Sequence, residues 1–181
     1  MKTIALSGAT SMLGIALINE CICSGVHVIA FVRPNSRKID RLPKSDLLTV
    51  IPCDFNSMRS VSVEGLSADV FYHIGWSYTD KAGRKSCEKQ SLNIKYTFDA
   101  IALAAHLGCS RFIGTGSQAE YGRVNTMISP DTPVNPEDAY GISKYAAGKL
   151  SRIECERRGI EHIWVRVFCV YGSNCLLYTS R

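Results

Sequence analysis

The sequence predicts an α/β fold: one doubly wound parallel sheet with helices on both faces. Two observations predict it. Short apolar runs of strand length alternate with stretches of helical apolar spacing from the first residues onward. A glycine-containing turn follows the first such run and leads at once into a helical pattern.

The elements read in order as follows. Thr3-Ile4-Ala5-Leu6 is a short buried strand that ends at Gly8. Leu13, Leu17 and Cys21 recur at helical spacing, and Ser24-Gly25 stops that helix. Val26 to Val32 is a second strand, broken by Pro34, and Leu47 to Cys53 is a third. Val70 to Ile74 is a fourth. Ile94, Phe98, Ile101 and Ala105 mark a long amphipathic helix closed by Gly108. A fifth strand begins at Arg111 and ends in the run Gly114-Thr115-Gly116-Ser117. The stretch from Gly122 to Asp138 is rich in Pro, Asn, Asp, Ser and Thr, and reads as a long loop of the kind that often carries function. Ile142, Ala146, Leu150 and Ile153 mark a further helix closed by Gly159, and Ile163 to Val170 is a sixth strand. Strands joined through helices argue for right-handed βαβ units and hence a parallel sheet.

Composition narrows the function. The 181 residues are 46% hydrophobic and 20% charged, ordinary values for one domain with a sizeable core. The net charge of +5 comes from dispersed Lys and Arg, so neither nucleic acid nor a membrane is an expected partner. No apolar run reaches the roughly 20 residues of a membrane span. Met1-Lys2 runs straight into the first strand without a leader pattern, which points to the cytoplasm. The eight cysteines include no C-x-x-C and no zinc-type Cys/His spacing. They read as reduced thiols, with Cys21, Cys53 and Cys169 in apolar runs, and no metal site is expected.

The first turn reads Gly8-Ala9-Thr10-Ser11-Met12-Leu13-Gly14. A glycine at the strand end permits a tight turn and brings backbone close to a pyrophosphate, which the following helix N-terminus attracts. Gly14 would let that helix pack against the sheet. A dinucleotide-binding, Rossmann-type domain is the reading this context supports. Val32 stands where an acidic residue would take the ribose hydroxyls of NAD, and Arg33 follows, with Ser36 and Arg37 close behind. An arginine there suits the 2′-phosphate of NADP, so the cofactor is NADP or NAD with NADP slightly preferred. A surface arginine in a turn is the plainer account. Asp54 is a candidate for the adenine amino group, or equally a helix cap.

Tyr140-Gly141-Ile142-Ser143-Lys144 opens the helix after the long loop, with Tyr140 and Lys144 one turn apart on one face. A cation beside a phenol favours the phenolate. At ~4 Å and an effective dielectric of ~20 the interaction is about 4 kcal/mol, or at most roughly three pKa units. That would bring Tyr140 towards the working range of a general acid/base. Ser117, at the carboxyl end of the fifth strand, is placed to orient the oxygen on which Tyr140 acts.

These pieces together resemble the short-chain dehydrogenase/reductase superfamily, in its extended branch, the NAD(P)-dependent epimerase/dehydratase family. The resemblance rests on Gly8, Ser11 and Gly14, on Asp54, on Ser117 through Tyr121-Gly122, on Tyr140 with Lys144, and on Val165-Arg166 with Val170-Tyr171-Gly172. Asn93 matches a position where the family places an asparagine. The resemblance implies Tyr140 as acid/base, Lys144 holding the nicotinamide ribose, and Ser117 orienting the substrate. It implies cofactor contacts from Gly8, Thr10, Ser11, Met12, Leu13, Gly14, Arg33, Asp54, Phe55, Asn93, Tyr140 and Lys144. It further implies hydride transfer on a nucleotide-activated sugar and commonly a homodimer. A 4,6-dehydratase would want an acid beside Ser117, where position 118 is Gln and Glu120 lies two residues on. A carbonyl reductase of a non-sugar substrate and a non-catalytic cofactor-binding regulator are the rival readings.

Three departures stand out. Ser11 replaces the middle glycine of the turn. Trp76 follows His73-Ile74-Gly75 where small residues are usual, and is expected to wall the cofactor or substrate pocket. Ser173 stands where proline is usual. The domain is therefore read as residues 1–174. Cys175 to Arg181 is read as a probable non-native tail, resembling read-through of a sequencing adapter, with a small C-terminal substrate domain missing.

Overall fold

The computed structural model describes residues 2–172. The readings placed on Ser173 and on 175–181 lie outside the described residues.

Six parallel strands form one sheet in the order β3-β2-β1-β4-β5-β6. They are β1 (Thr3–Ser7), β2 (His27–Val32), β3 (Leu48–Pro52), β4 (Val70–His73), β5 (Arg111–Ser117) and β6 (Glu161–Val167). Three α-helices flank it: α1 (Met12–Cys23), α2 (Cys87–His106) and α3 (Ala139–Arg157). Every strand expected from the sequence is present. The sixth ends at Val167, three residues short of the expected Val170.

Alternation along each strand sorts side chains between two cores. Ile4 and Leu6 of β1, with Val28, Ala30 and Val32 of β2, pack with Ile18 and Cys21 of α1. Ala5, Ile29, Phe31, Phe71 and Phe112 point to the opposite face and pack with Ala100, Ile101, Leu103 and Ala104 of α2 and Cys155 of α3. Both faces are thus covered, as a parallel sheet requires.

Most of the apolar stripe that marks α3 in the sequence faces out. Ile142 and Ile153 are each 50% exposed and Leu150 is 41% exposed. The buried face is Gly141, Ser143, Lys144, Ala147, Gly148, Ser151 and Cys155. Close packing is the cause. A Cβ on Gly148 would lie 2.7 Å from the Trp164 indole, so only small residues fit on that side. Cys169, read as lying in an apolar run, is exposed.

The carboxyl ends of β1 and β4 meet at two glycines. Gly8 has φ +78, and a Cβ there would lie 2.5 Å from the Gly75 nitrogen. At Gly14 the close neighbour is the turn itself: a Cβ there would collide with the carbonyls of Gly8 and Ala9.

Candidate active site

Ser11 shows what replaces the middle glycine. Its Oγ accepts from the Gly14 N–H at 3.0 Å and so caps α1. The hydroxyl is therefore engaged by the helix it starts. Thr10 faces the segment after β2, where its Oγ1 lies 3.5 Å from Ser36 Oγ. Met12 and Leu13 form the first turn of α1 and are half-buried. Arg33 is exposed just beyond β2. These residues gather at the carboxyl edge of the sheet around the N-terminus of α1. The backbone approach that Gly8 and Gly75 permit makes this cradle fit a dinucleotide pyrophosphate.

Asp54 closes a turn after β3, where no helix follows for it to cap. Its Oδ1 accepts from the backbone N–H groups of Asn56 (2.8 Å) and Ser57 (3.0 Å) and from the Ser57 hydroxyl. Phe55 stacks on Tyr96 at 5.3 Å and meets the ring of His73 edge-on at 6.0 Å. Asn93 is 1% exposed and spends its amide on Ser77, accepting from its N–H at 2.8 Å and donating to its carbonyl at 3.2 Å. It therefore fixes the chain after β4.

Gln90 lies one turn earlier on α2. It is wholly buried, donates to the carbonyls of Tyr78 and Gly83, and accepts from Trp76 Nε1 at 2.9 Å. Asn93 and Gln90 together hold the 76–84 segment against α2. No local sequence signal marks Gln90, since a polar residue on a helix reads as solvent-facing until its partners are known.

Ser117 and Tyr140 line one cavity of about 240 Å³ with Arg84, Gln118, Ala119, Gly122, Val124 and Ile128. The 122–138 loop contributes Gly122, Val124 and Ile128 to this lining. Ser117 Oγ accepts from the Ala119 N–H at 3.2 Å, which leaves its proton available to a ligand. Tyr140 follows Asp138, whose side chain caps α3 by accepting from the Gly141 N–H at 2.6 Å.

Lys144 is 3% exposed and donates to the Thr115 carbonyl at 2.6 Å. Burial pushes its ammonium down to about 7; the Glu120 carboxylate opposes that shift and the Arg84 charge adds to it. Trp76 meets Tyr140 edge-on at 6.2 Å. It packs against both Tyr140 and Lys144, whose Nζ lies 3.8 Å from the centre of its ring. The guanidinium of Arg84, also unforeseen, lies 4.5 Å from the centre of the Tyr140 ring.

His73 lies beneath this site. Its Nδ1 is 2.7 Å from Ser7 Oγ, while Nε2 is buried without a hydrogen-bond partner among the described residues. Burial pushes the imidazole down to about 3, with the Lys144 charge adding, so it stays neutral.

Glu120 is fully buried and wholly committed. It accepts from the Ser117 N–H at 2.8 Å, from Trp164 Nε1 at 3.1 Å and from Arg166 Nε at 2.8 Å. Gly114 and Gly116 make room for Trp164, whose ring a Cβ at either position would strike.

A family model described as "NAD dependent epimerase/dehydratase family" matches residues 4–179. The chain belongs to this family. Several solved structures share its fold. A UDP-glucuronic acid 4-epimerase from Bacillus cereus, in complex with NAD, superposes with a TM-score of 0.76 at 21% identity. That match covers 96% of this chain and 58% of the other. A UDP-N-acetylglucosamine 4-epimerase from Methanobrevibacter ruminantium M1, in complex with UDP-N-acetylmuramic acid, gives 0.81 at 18%, covering 96% and 56%. A UDP-glucose 4-epimerase from Thermotoga maritima, with UDP-glucose, gives 0.77 at 18%, covering 95% and 57%. The chain thus spans a little over half the length of these proteins. Among the described residues no helix is long and apolar enough to cross a membrane.

Proposed function

We propose that this protein interconverts a nucleotide-activated sugar by reversible hydride transfer, with Tyr140 as acid/base. The carrying observation is the shared cavity of Ser117 and Tyr140 at the carboxyl end of β5, with Lys144 buried one turn along α3. A bound nicotinamide supplies a hydride acceptor and donor. Tyr140, as phenolate, takes the hydroxyl proton of the substrate while the carbon–hydrogen bond breaks, and the hydroxyl carbon becomes a ketone. Ser117 donates its proton to that oxygen and holds it against Tyr140. In the return step Tyr140 gives the proton back. Lys144 places its charge beneath the pair and reaches the nicotinamide ribose.

The cradle formed by Gly8, Thr10, Ser11, Met12, Leu13 and Gly14 holds the pyrophosphate, and Arg33 selects NADP slightly over NAD. Asp54, Phe55 and Asn93 complete the cofactor side; Asn93 acts through the Ser77 backbone. Dissociation constants for the two cofactors test the preference, and tighter NAD binding would overturn it. Epimerisation is favoured over 4,6-dehydration because Glu120 is locked beneath the site and Gln118 takes the lining position. Arg33 favours a second reading, NADPH-dependent reduction of a non-sugar ketone, since net reduction commonly draws on NADPH.

The proposed protein is cytoplasmic, with a Rossmann-type domain at residues 1–174. Its homodimer would use the exposed Ile142, Leu150 and Ile153 of α3. The test is the full-length protein screened with nucleotide sugars while the absorbance of reduced nicotinamide is followed. An epimerase converts the sugar without net change in absorbance, and a reductase consumes NADPH. Loss of neither sugar nor cofactor with any nucleotide sugar would sink the reading.

A further inference from the structure

Among the described residues, Arg84 is the one cation that lines the Ser117–Tyr140 cavity. Lys144 is buried and turned to the Thr115 carbonyl. Arg84 stands on a braced segment. Asp80 Oδ1 accepts from the N–H groups of Ala82 and Gly83, and the Arg84 N–H donates to the Asp80 carbonyl at 3.0 Å. Gln90 clamps the carbonyls of Tyr78 and Gly83 from below. Tyr78 is held at φ +57, the only non-glycine residue with positive φ among those described. A Cβ on Gly83 would lie 2.7 Å from the Tyr78 carbonyl oxygen, so the turn that presents Arg84 is tightly closed.

The guanidinium itself is oriented at both ends. Its Nε donates to the Thr79 carbonyl at 3.0 Å, and its central carbon lies over the Tyr140 ring, 4.5 Å from the ring centre. It forms no ion pair among the described residues, whereas Arg59, Arg111, Arg123, Arg157, Arg158 and Arg166 all do. Among the described residues, the terminal Nη groups have no hydrogen-bond acceptor. A guanidinium anchored through Nε with both Nη groups free is a fork for a planar oxyanion.

Resting on the nucleotide-sugar reading, we propose that Arg84 is a specificity-determining residue for the carboxylate of a hexuronic acid on the reacting sugar. Arg84 shares the cavity with the two residues that hold the reacting oxygen, so the anion it meets lies on the same ring. In a hexuronate the carboxylate is borne by the carbon next to C4. A neutral hydroxymethyl group there would leave the cation without a counter-charge.

The test uses full-length protein loaded with nicotinamide dinucleotide. Calorimetric dissociation constants are measured for UDP-glucuronate, UDP-glucose and UDP, with wild type, Arg84→Ala and Arg84→Lys. Thermal melts check that each variant is folded. Wild type should bind UDP-glucuronate more tightly than UDP-glucose. Arg84→Ala should weaken UDP-glucuronate by about tenfold or more, because a charged hydrogen bond is lost, and shift UDP-glucose and UDP by less than about twofold. Arg84→Lys should fall between, keeping the charge but not the fork. Equal weakening of all three would place the contact on the diphosphate and overturn the proposal. So would an unchanged UDP-glucuronate affinity in Arg84→Ala while wild type binds the UDP-sugars. Failure of wild type to bind any of the three would overturn the nucleotide-sugar reading and this inference with it.

Discussion

The Lys144 ammonium lies 3.8 Å from the centre of the Trp76 indole, closer than the 6.0 Å that separates it from the centre of the Tyr140 ring. The indole face and the Thr115 carbonyl thus solvate a charge that burial disfavours. Folding pushes this ammonium from an ordinary 10.5 down to about 7. Between these values the unfolded chain holds more protons than the folded one, so stability rises with pH from 7 towards 10.5. Comparing urea midpoints of the wild type with Lys144→Met across that range checks this. The wild type should gain up to about 5 kcal/mol relative to the variant. Parallel pH curves would show that Lys144 is charged in the folded state throughout.

Tyr140→Phe should lower turnover of the full-length enzyme by about 10²- to 10⁴-fold, the usual contribution of a positioned acid/base. Dinucleotide affinity should change little, because the pyrophosphate cradle lies at the N-terminus of α1. Steady-state rates and cofactor titration on the same preparation separate the two. Full retention of every function by this variant would instead favour the non-catalytic regulator.

Arg166 is the counter-ion of Glu120 and also donates to the Tyr121 hydroxyl at 3.1 Å. Arg166→Met strands a buried carboxylate and should cost about 3–5 kcal/mol. Glu120→Gln in the same chain should recover much of that loss, because no buried charge is then left alone. Denaturant unfolding of the single and double variants measures the coupling.

Gly8→Ala and Gly25→Ala form a matched pair. Both glycines have positive φ, but a Cβ at Gly25 meets nothing within 4 Å. The Gly25 change should cost about 1 kcal/mol, from backbone conformation alone. The Gly8 change should cost more, because the Cβ also drives β1 and β4 apart at Gly75. It should weaken dinucleotide binding as well, and melting temperatures with cofactor titrations read both effects.

Much of this molecule was legible in local pattern. The strands of the sheet, the glycine turn and the i,i+4 pair of Tyr140 and Lys144 are all short-range signals, since each depends on residues a few positions apart. The core face of α3 was not legible. Its apolar stripe of Ile142, Leu150 and Ile153 obeys helical spacing, yet the space beneath the helix is already filled by Trp164, and small residues must face it. The roles of Gln90, Glu120 and Arg84 were hidden for a related reason. Their partners lie on other elements, and a polar residue read alone carries no sign of whether it will be buried.

The sequence by itself determined the parallel α/β architecture, the cradle at Gly8 and the identity of the Tyr140–Lys144 pair, because backbone preference and side-chain periodicity are properties of neighbouring residues. The tertiary structure alone decided which groups surround that pair. It set Trp76 against Lys144, Arg84 over Tyr140 and Glu120 out of reach beneath the site. Those placements follow from how β4, β5, α2 and α3 pack at the carboxyl edge of the sheet, where long-range contacts fix distances that no local spacing encodes.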